Sequence, residues 1–222
     1  MNLPSLLWPD PDGIPVPSQP GILGILASGN GSNFEAIAQA IEAGELQAQI
    51  AVVITNNPKA YVRQRAQKRG IPCVLLNHRD YPCREDLDAA IVRVLRQHHV
   101  EWVIMAGWMR LVTQVLLSAY PDHVLNLHPS LLPSFKGLRA VEQALKCGVK
   151  IAGCTVHRVT LEMDSGPIVA QAAVPVLPED TVESLYRRIQ AQEHRLYPLA
   201  IRLCLAEGSL LPKSSEKLHN WG

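Results

Sequence analysis

From Gly21 onward, short unbroken apolar runs alternate with stretches in which apolar residues recur every three or four positions. The unbroken runs cover 22–27, 50–54, 73–76, 102–106 and 124–127. They are too short for core helices and lack the alternation of a strand with one wet face, so they predict strands covered on both sides. The periodic stretches at 34–43, 60–69 and 84–98 predict amphipathic helices. Strands alternating with helices in this way predict an α/β fold with a doubly wound, mostly parallel sheet, Rossmann-like in plan. Two further apolar runs, 151–159 and 167–176, predict strands joined by 160–166 as a hairpin excursion.

A last helix is predicted from about Asp180, with Asp180 as its cap and Glu183 three residues on completing a capping box. Leu185, Ile189, Leu196, Leu199 and Leu203 form its apolar stripe, and Pro198 is expected to kink it. Before Gly21 stand Pro4, Pro9, Pro11, Pro15, Pro17 and Pro20, which remove too many backbone donors for a strand or helix interior. The expected organisation is therefore a proline-rich tail over 1–20, one domain over 21–207, and a second tail over 208–222.

Composition narrows the function. With 47% apolar residues in 222, the chain can build a sizeable core without disulfides or a structural metal. The net charge of +1, with Lys and Arg scattered, argues against a nucleic-acid partner. No apolar stretch has the length of a membrane span, and residues 1–20 lack the positive charge of a secretory signal. Cys73, Cys83, Cys147, Cys154 and Cys204 are odd in number and form no C-x-x-C pair, so free thiols in a reducing cytoplasm are expected. The eight histidines show no H-E-x-x-H spacing, and no metal is expected.

Two segments carry candidate chemistry. Ser28-Gly29-Asn30-Gly31-Ser32-Asn33 follows the first strand and precedes a helix. Its glycines allow a tight turn and close backbone approach, and a helix N-terminus offers unpaired N–H groups to an anion. The same pattern also suits a plain capped turn. Phe34 replaces the third glycine of a dinucleotide loop, no carboxylate ends the second strand, and the loop holds no Lys. Of the phosphate ligands, a monoester fits best.

The other segment is Asn126-Leu127-His128-Pro129-Ser130-Leu131-Leu132-Pro133. Asn126 and His128 lie two apart, so they leave the same side of a strand, at the end where open α/β sheets bind ligands. An amide N–H and an imidazolium N–H aimed at one point can hold an oxyanion, which suits acyl transfer without a covalent nucleophile. Asp164, in Asp164-Ser165-Gly166-Pro167, reads alone as a solvated turn residue and gains a role only if the fold brings it to His128.

These three segments, in this order, resemble the folate-dependent phosphoribosylglycinamide formyltransferases of purine synthesis. Ala106-Gly107-Trp108-Met109-Arg110 and Gln190-Ala191-Gln192-Glu193-His194 match as well, and the resemblance spans roughly 21–205. It implies transfer of the formyl group of 10-formyltetrahydrofolate, a co-substrate, to the amine of 5′-phosphoribosylglycinamide. It implies a catalytic trio of Asn126, His128 and Asp164. It implies that Asn30, Gly31, Ser32 and Asn33 hold the ribonucleotide phosphate, with Gln190 and Glu193 on the rest of that substrate. Folate contacts are implied for Arg84, for Met109, Arg110, Leu111 and Val112, for Asn126, and for Thr160, Leu161, Glu162, Met163 and Asp164. Small molecules are the implied partners, and the chain fits a monomer or a homodimer.

The chain departs from the family pattern at 134–139, Ser-Phe-Lys-Gly-Leu-Arg, where Arg139 replaces a histidine of bacterial members, and in its proline-rich extension. Related chemistries are expected to need more chain. A tRNA formyltransferase adds a basic C-terminal domain, and a formyltetrahydrofolate deformylase adds an N-terminal regulatory one. A nucleotide sensor on this scaffold would have no use for oxyanion donors.

Overall fold

The computed structural model describes residues 6–10, 14, 17 and 19–210. Its centre is an eight-stranded sheet, flanked on both faces by helices. In chain order the elements are β1 Leu6–Trp8, β2 Gly21–Leu26, α1 Ser32–Glu42, β3 Ala48–Thr55, α2 Val62–Lys68, β4 Cys73–Leu75, α3 Arg84–Gln97, β5 Trp102–Met105, α4 Gln114–Ala119, β6 Val124–His128, α5 Ala140–Lys146, β7 Ile151–Arg158, β8 Ile168–Pro175 and α6 Val182–Leu210. The strand order is β1-β8-β7-β6-β5-β2-β3-β4, with β4, β3, β2, β5 and β6 parallel and the remainder antiparallel.

Each unbroken apolar run divides between two cores, as the alternation of a strand requires. Leu23, Ile25 and Ala27 of the first run, and Ile104 of β5, join Phe34, Ile37, Tyr197 and Ile201 on the α1/α6 face. Leu26, Val103 and Met105 join Leu87, Ile91, Leu95 and Leu116 on the α3/α4 face. From β2 the chain winds outward through β3 and β4, then returns to β2's other side with β5 and β6. The C-terminal ends of β2 and β5 thus flank the switch point at which such sheets open a ligand crevice. Tyr197, fully buried, brings its hydroxyl within 3.1 Å of the carbonyls of both Met105 and Leu125, fixing α6 beneath that crevice.

The predicted strands and helices recur to within a few residues, and the hairpin excursion is β7–β8. The short helices α4 and α5 carry too few turns to show a period. The cap of α6 is Thr181, not Asp180: Ser184 N–H donates to Thr181 Oγ1 and Thr181 N–H to Ser184 Oγ. Asp180 is committed elsewhere. It takes both Arg188 nitrogens at 2.7 and 2.8 Å and the Leu177 N–H. The Arg188 guanidinium, opposed by burial, holds the Asp180 carboxyl far below the usual carboxylate range. Among the described residues no helix is long and apolar enough to cross a membrane.

The proline-rich segment is not the undocked tail expected from its composition. Leu6–Trp8 adds an antiparallel edge strand to β8, Ile14 is buried against Leu199 and Ala206, and Arg202 donates to the Ile14 carbonyl. Three residues between prolines suffice for an edge strand, which needs donors on one side only. Burying one isoleucine contributes about 2 kcal/mol, and the edge pairing adds to it. Deleting residues 1–18 is therefore expected to lower the melting temperature by about 5–10 °C with kcat nearly unchanged. A melt indistinguishable from that of the full chain would contradict this docking.

Candidate active site

The glycine loop turns from β2 into α1. Its strand end is pinned to neighbours: Ser28 N–H donates to Gly107 O, and Ser28 Oγ accepts from Met109 N–H at 2.9 Å. Gly31 has φ 76°, and a Cβ there would lie 2.6 Å from Val62 Cγ2. Gly31 is thus required by its own packing against α2 as well as by any ligand. No side chain caps α1, so the first N–H groups of this 11-residue helix point outward unclaimed by a cap. Arg65 braces the loop from outside, donating to Asn30 O and Asn30 Oδ1 at 2.9 and 3.0 Å.

From α6, two side chains meet this loop. Gln190 Nε2 donates to Ser32 Oγ at 3.3 Å, and Asn33 Nδ2 donates to Glu193 Oε2 at 3.2 Å. Glu193 is 3% exposed, and burial pushes its carboxyl up to about 7 despite the Asn33 hydrogen bond. Gln190 and Glu193, which look in sequence like a solvated helix face, therefore join Ser32 and Asn33 in one site.

At the C-terminal end of β6, Asn126 and His128 emerge together, and the β7–β8 hairpin delivers Asp164 beside them. His128 Nδ1 lies 3.4 Å from Asp164 Oδ2. Gly137 N–H donates to the same oxygen at 2.8 Å. Asp164 holds φ 52°, a left-handed conformation that Asp tolerates better than most residues and that aims the carboxylate inward. Burial raises the Asp164 carboxyl, but His157, the Gly137 N–H and His128 outweigh it, so the net shift is below the usual value.

One member was missed in the sequence. His157 on β7 sits directly opposite Asn126, with Nε2 3.2 Å from Asn126 Nδ2 and 3.6 Å from Asp164 Oδ1. Its Nδ1 lies 2.9 Å from Arg158 O, an acceptor only, so Nδ1 carries a proton. Its Nε2 thus faces the Asn126 amide on one side and the Asp164 carboxylate on the other. Only the pairing of β6 with β7, 31 residues apart, reveals this contact. Thr155, fully buried beside His128 in register, was also missed. Its Oγ1 donates to Ser130 O and accepts from Leu132 N–H, fixing the loop that follows His128.

The loop over 134–139 closes on the trio. His128 Nε2 donates to Phe135 O at 2.9 Å, where the sequence led us to expect an N–H free for a substrate oxygen. With a carbonyl on one ring nitrogen and a carboxylate facing the other, only the imidazolium meets both acceptors with a proton. Phe135 and Arg139 hold left-handed φ values of 57° each. Lys136 reaches Ser165 Oγ and lies 3.7 Å from Glu162. The Arg139 side chain is 80% exposed.

The segments expected around a folate lie beside this centre. Val112 and Val159 pack against one cluster, while Met109, Leu111, Leu161 and Met163 are left exposed around it. Arg84 begins α3 and joins them indirectly. Asp88, one turn on, accepts Thr113 N–H at 2.5 Å and so holds the start of α3 against the strand-β5 loop.

The sequence and the fold both have relatives among known proteins. A formyl transferase family model matches residues 23–201. The phosphoribosylglycinamide formyltransferase of Bacillus subtilis (strain 168) is 43% identical over 181 residues, 82% of this chain and 93% of that one. The trifunctional purine biosynthetic protein adenosine-3 of Homo sapiens is 41% identical over 84% of this chain, which spans 18% of that longer protein. The crystal structure of glycinamide ribonucleotide transformylase 1 from Symbiobacterium toebii superposes with a TM-score of 0.84 at 48% identity, covering 88% of this chain and 92% of that one. With its fold, its sheet-edge trio and matches that run through nearly the whole sheet and α6, the chain belongs to the formyl transferase family.

Proposed function

We propose that the chain transfers the formyl group of 10-formyltetrahydrofolate to the amine of 5′-phosphoribosylglycinamide, giving the N-formyl product and tetrahydrofolate. The observation that carries this reading is the convergence of Asn126, His128 and Asp164 at the sheet's C-terminal edge, beside an uncapped helix N-terminus. The relatives' names point to the same substrates. The phosphate meets the N–H groups from Asn30 to Asn33, which suit an anion without a lysine. Gln190 and Glu193 hold the ribonucleotide beyond it. The folate lies between Met109–Val112 and Thr160–Asp164, with Arg84 at its outer end.

The amine then attacks the formyl carbon. A C–N bond forms, and the carbonyl electrons move onto oxygen. Asn126 Nδ2–H and His128 Nε2–H stabilise that oxyanion, the formyl oxygen taking the place of the Phe135 carbonyl on His128. Donors of this kind contribute about 3 kcal/mol each. His157 holds the Asn126 amide in place. Asp164 balances the imidazolium and accepts the proton lost by the attacking amine, directly or through water. As the oxyanion collapses, the bond to N10 breaks and Asp164 passes the amine's proton on to that nitrogen, directly or through water, so that it leaves neutral and the carboxylate is restored. Five cysteines that form no disulfide fit a cytoplasmic enzyme.

A direct test follows tetrahydrofolate release with and without phosphoribosylglycinamide. Release is expected to depend on the acceptor. Equal release without it would identify a hydrolase instead.

A further inference from the structure

The glycine loop, 28–33, carries no cation of its own, yet one is built against its outer side. Arg65 of α2 donates Nε to Asn30 O at 2.9 Å and Nη2 to Asn30 Oδ1 at 3.0 Å, a fork that closes on the backbone and side chain of one residue. The guanidinium is held in turn. Glu35 Oε2 lies 3.3 Å from its Nη1, and the Tyr61 ring lies under it, with 5.1 Å from Cζ to the ring centroid. Arg69, 2.5 Å from the other oxygen of Glu35, keeps that carboxylate in place. At the residue before Asn30, Val62 N–H donates to Gly29 O at 3.1 Å.

Two successive carbonyls, those of Gly29 and Asn30, are therefore turned toward α2. A trans peptide sets its N–H opposite its carbonyl. The N–H groups of Asn30 and Gly31 thus turn together away from α2. Successive N–H groups turned one way, with a left-handed residue among them, make an anion-binding concavity, and Gly31 has φ 76°. A guanidinium on the Asn30 carbonyl also draws charge through that peptide and makes the Gly31 N–H a stronger donor.

We propose that Arg65 is a positioning residue for the substrate phosphate: by gripping Asn30 it aims and polarises the N–H groups that receive the anion. This rests on the ribonucleotide reading given above. Arg65 acts through Asn30, so it supplies the loop with positive charge that no residue of 28–33 provides. The planar fork matters as well as the charge, because a lysine is a point charge that cannot grip both Asn30 oxygens in the same way.

The test compares phosphoribosylglycinamide with its dephosphorylated riboside as acceptors for the full-length protein. The parent is expected to favour the phosphorylated acceptor in kcat/KM by about a hundredfold or more. In Arg65→Ala that preference is expected to shrink about tenfold, through a higher KM for phosphoribosylglycinamide. The riboside's kcat/KM and the folate KM are expected to stay within about twofold of the parent's. Arg65→Lys is expected to recover only part of the preference. Equal losses on the two acceptors would make Arg65 a general brace of the fold, overturning the proposal and leaving the phosphate loop as read. Full recovery in Arg65→Lys would reduce the effect to charge and overturn the aiming role. A parent with no preference for the phosphorylated acceptor would overturn the phosphate loop and this proposal together. If Arg65→Ala does not fold, the loss of preference in Arg65→Lys decides between the same outcomes.

Discussion

Asp164→Asn is expected to lower kcat by roughly a thousandfold or more while leaving the fold in place. The amide keeps the size of the carboxylate and can still accept from the Gly137 N–H, which lies 2.8 Å from Oδ2. What it loses is a negative charge 3.4 Å from His128 Nδ1 and 3.6 Å from His157 Nε2. That charge is present through the neutral range, because the two imidazoles and the Gly137 N–H outweigh burial and keep the carboxyl below its usual value. As a depressed acid, Asp164 also contributes stability that is present above its unfolded pKa and is lost as pH falls through the folded one. Without the anion, the charge that faces the His128 ring and receives the amine's proton is gone. His128→Ala is expected to be at least as damaging. Since the pair acts as a unit, the double variant should be little worse than the worse single one. Strictly additive losses, or a kcat within about tenfold of the parent in Asp164→Asn, would remove the role assigned to Asp164.

Glu193→Gln is expected to stabilise the protein at alkaline pH and to weaken ribonucleotide binding. Burial raises the folded carboxyl from 4.5 to about 7. The folded state therefore holds a proton that the unfolded state has released between those values, and stability falls as pH rises through that window. Above it the full penalty of a buried anion persists, on the order of 3 kcal/mol. Glutamine keeps an oxygen for the Asn33 amide and never charges. The variant should melt higher than the parent at pH 8, by several degrees, and nearly level with it at pH 4.5. Its ribonucleotide KM should rise roughly tenfold to a hundredfold, the range for a lost hydrogen bond to a charged group, with kcat changed less. Thermal melts across pH together with KM measurements check both halves. A pH-independent difference in melting temperature would mean that Glu193 does not titrate in the folded state.

Much of the sheet was legible because its signal is local. Unbroken apolar runs at 22–27 and 102–106 have no other comfortable state than a doubly covered strand, and β2 and β5 lie there. The spacing of Asn126 and His128 likewise places both on one side of β6 whatever the rest of the chain does. Other features depend on pairings between distant residues. His157 became visible only through the antiparallel register of β6 and β7. Gln190 and Glu193 lie some 160 residues from the loop they meet, and on pattern alone they belong to a wet face. The arm at Leu6–Trp8 was misjudged because proline counting addresses donors in a sheet interior, while an edge strand spends few of them. The choice of Thr181 over Asp180 as the α6 cap turned on Arg188, two turns into the helix, which claims the aspartate first.

The central claim is that Asn126, His128 and Asp164 move the formyl group directly, by holding an oxyanion, with no covalent formyl-enzyme. It is tested most directly by a single turnover with donor labelled in the formyl carbon, quenched in acid at intervals. The label is expected to pass from the folate to the amine of the ribonucleotide, with none on the precipitated protein at any time. Label that appears on the protein and then leaves it, at rates matching turnover, would contradict the claim.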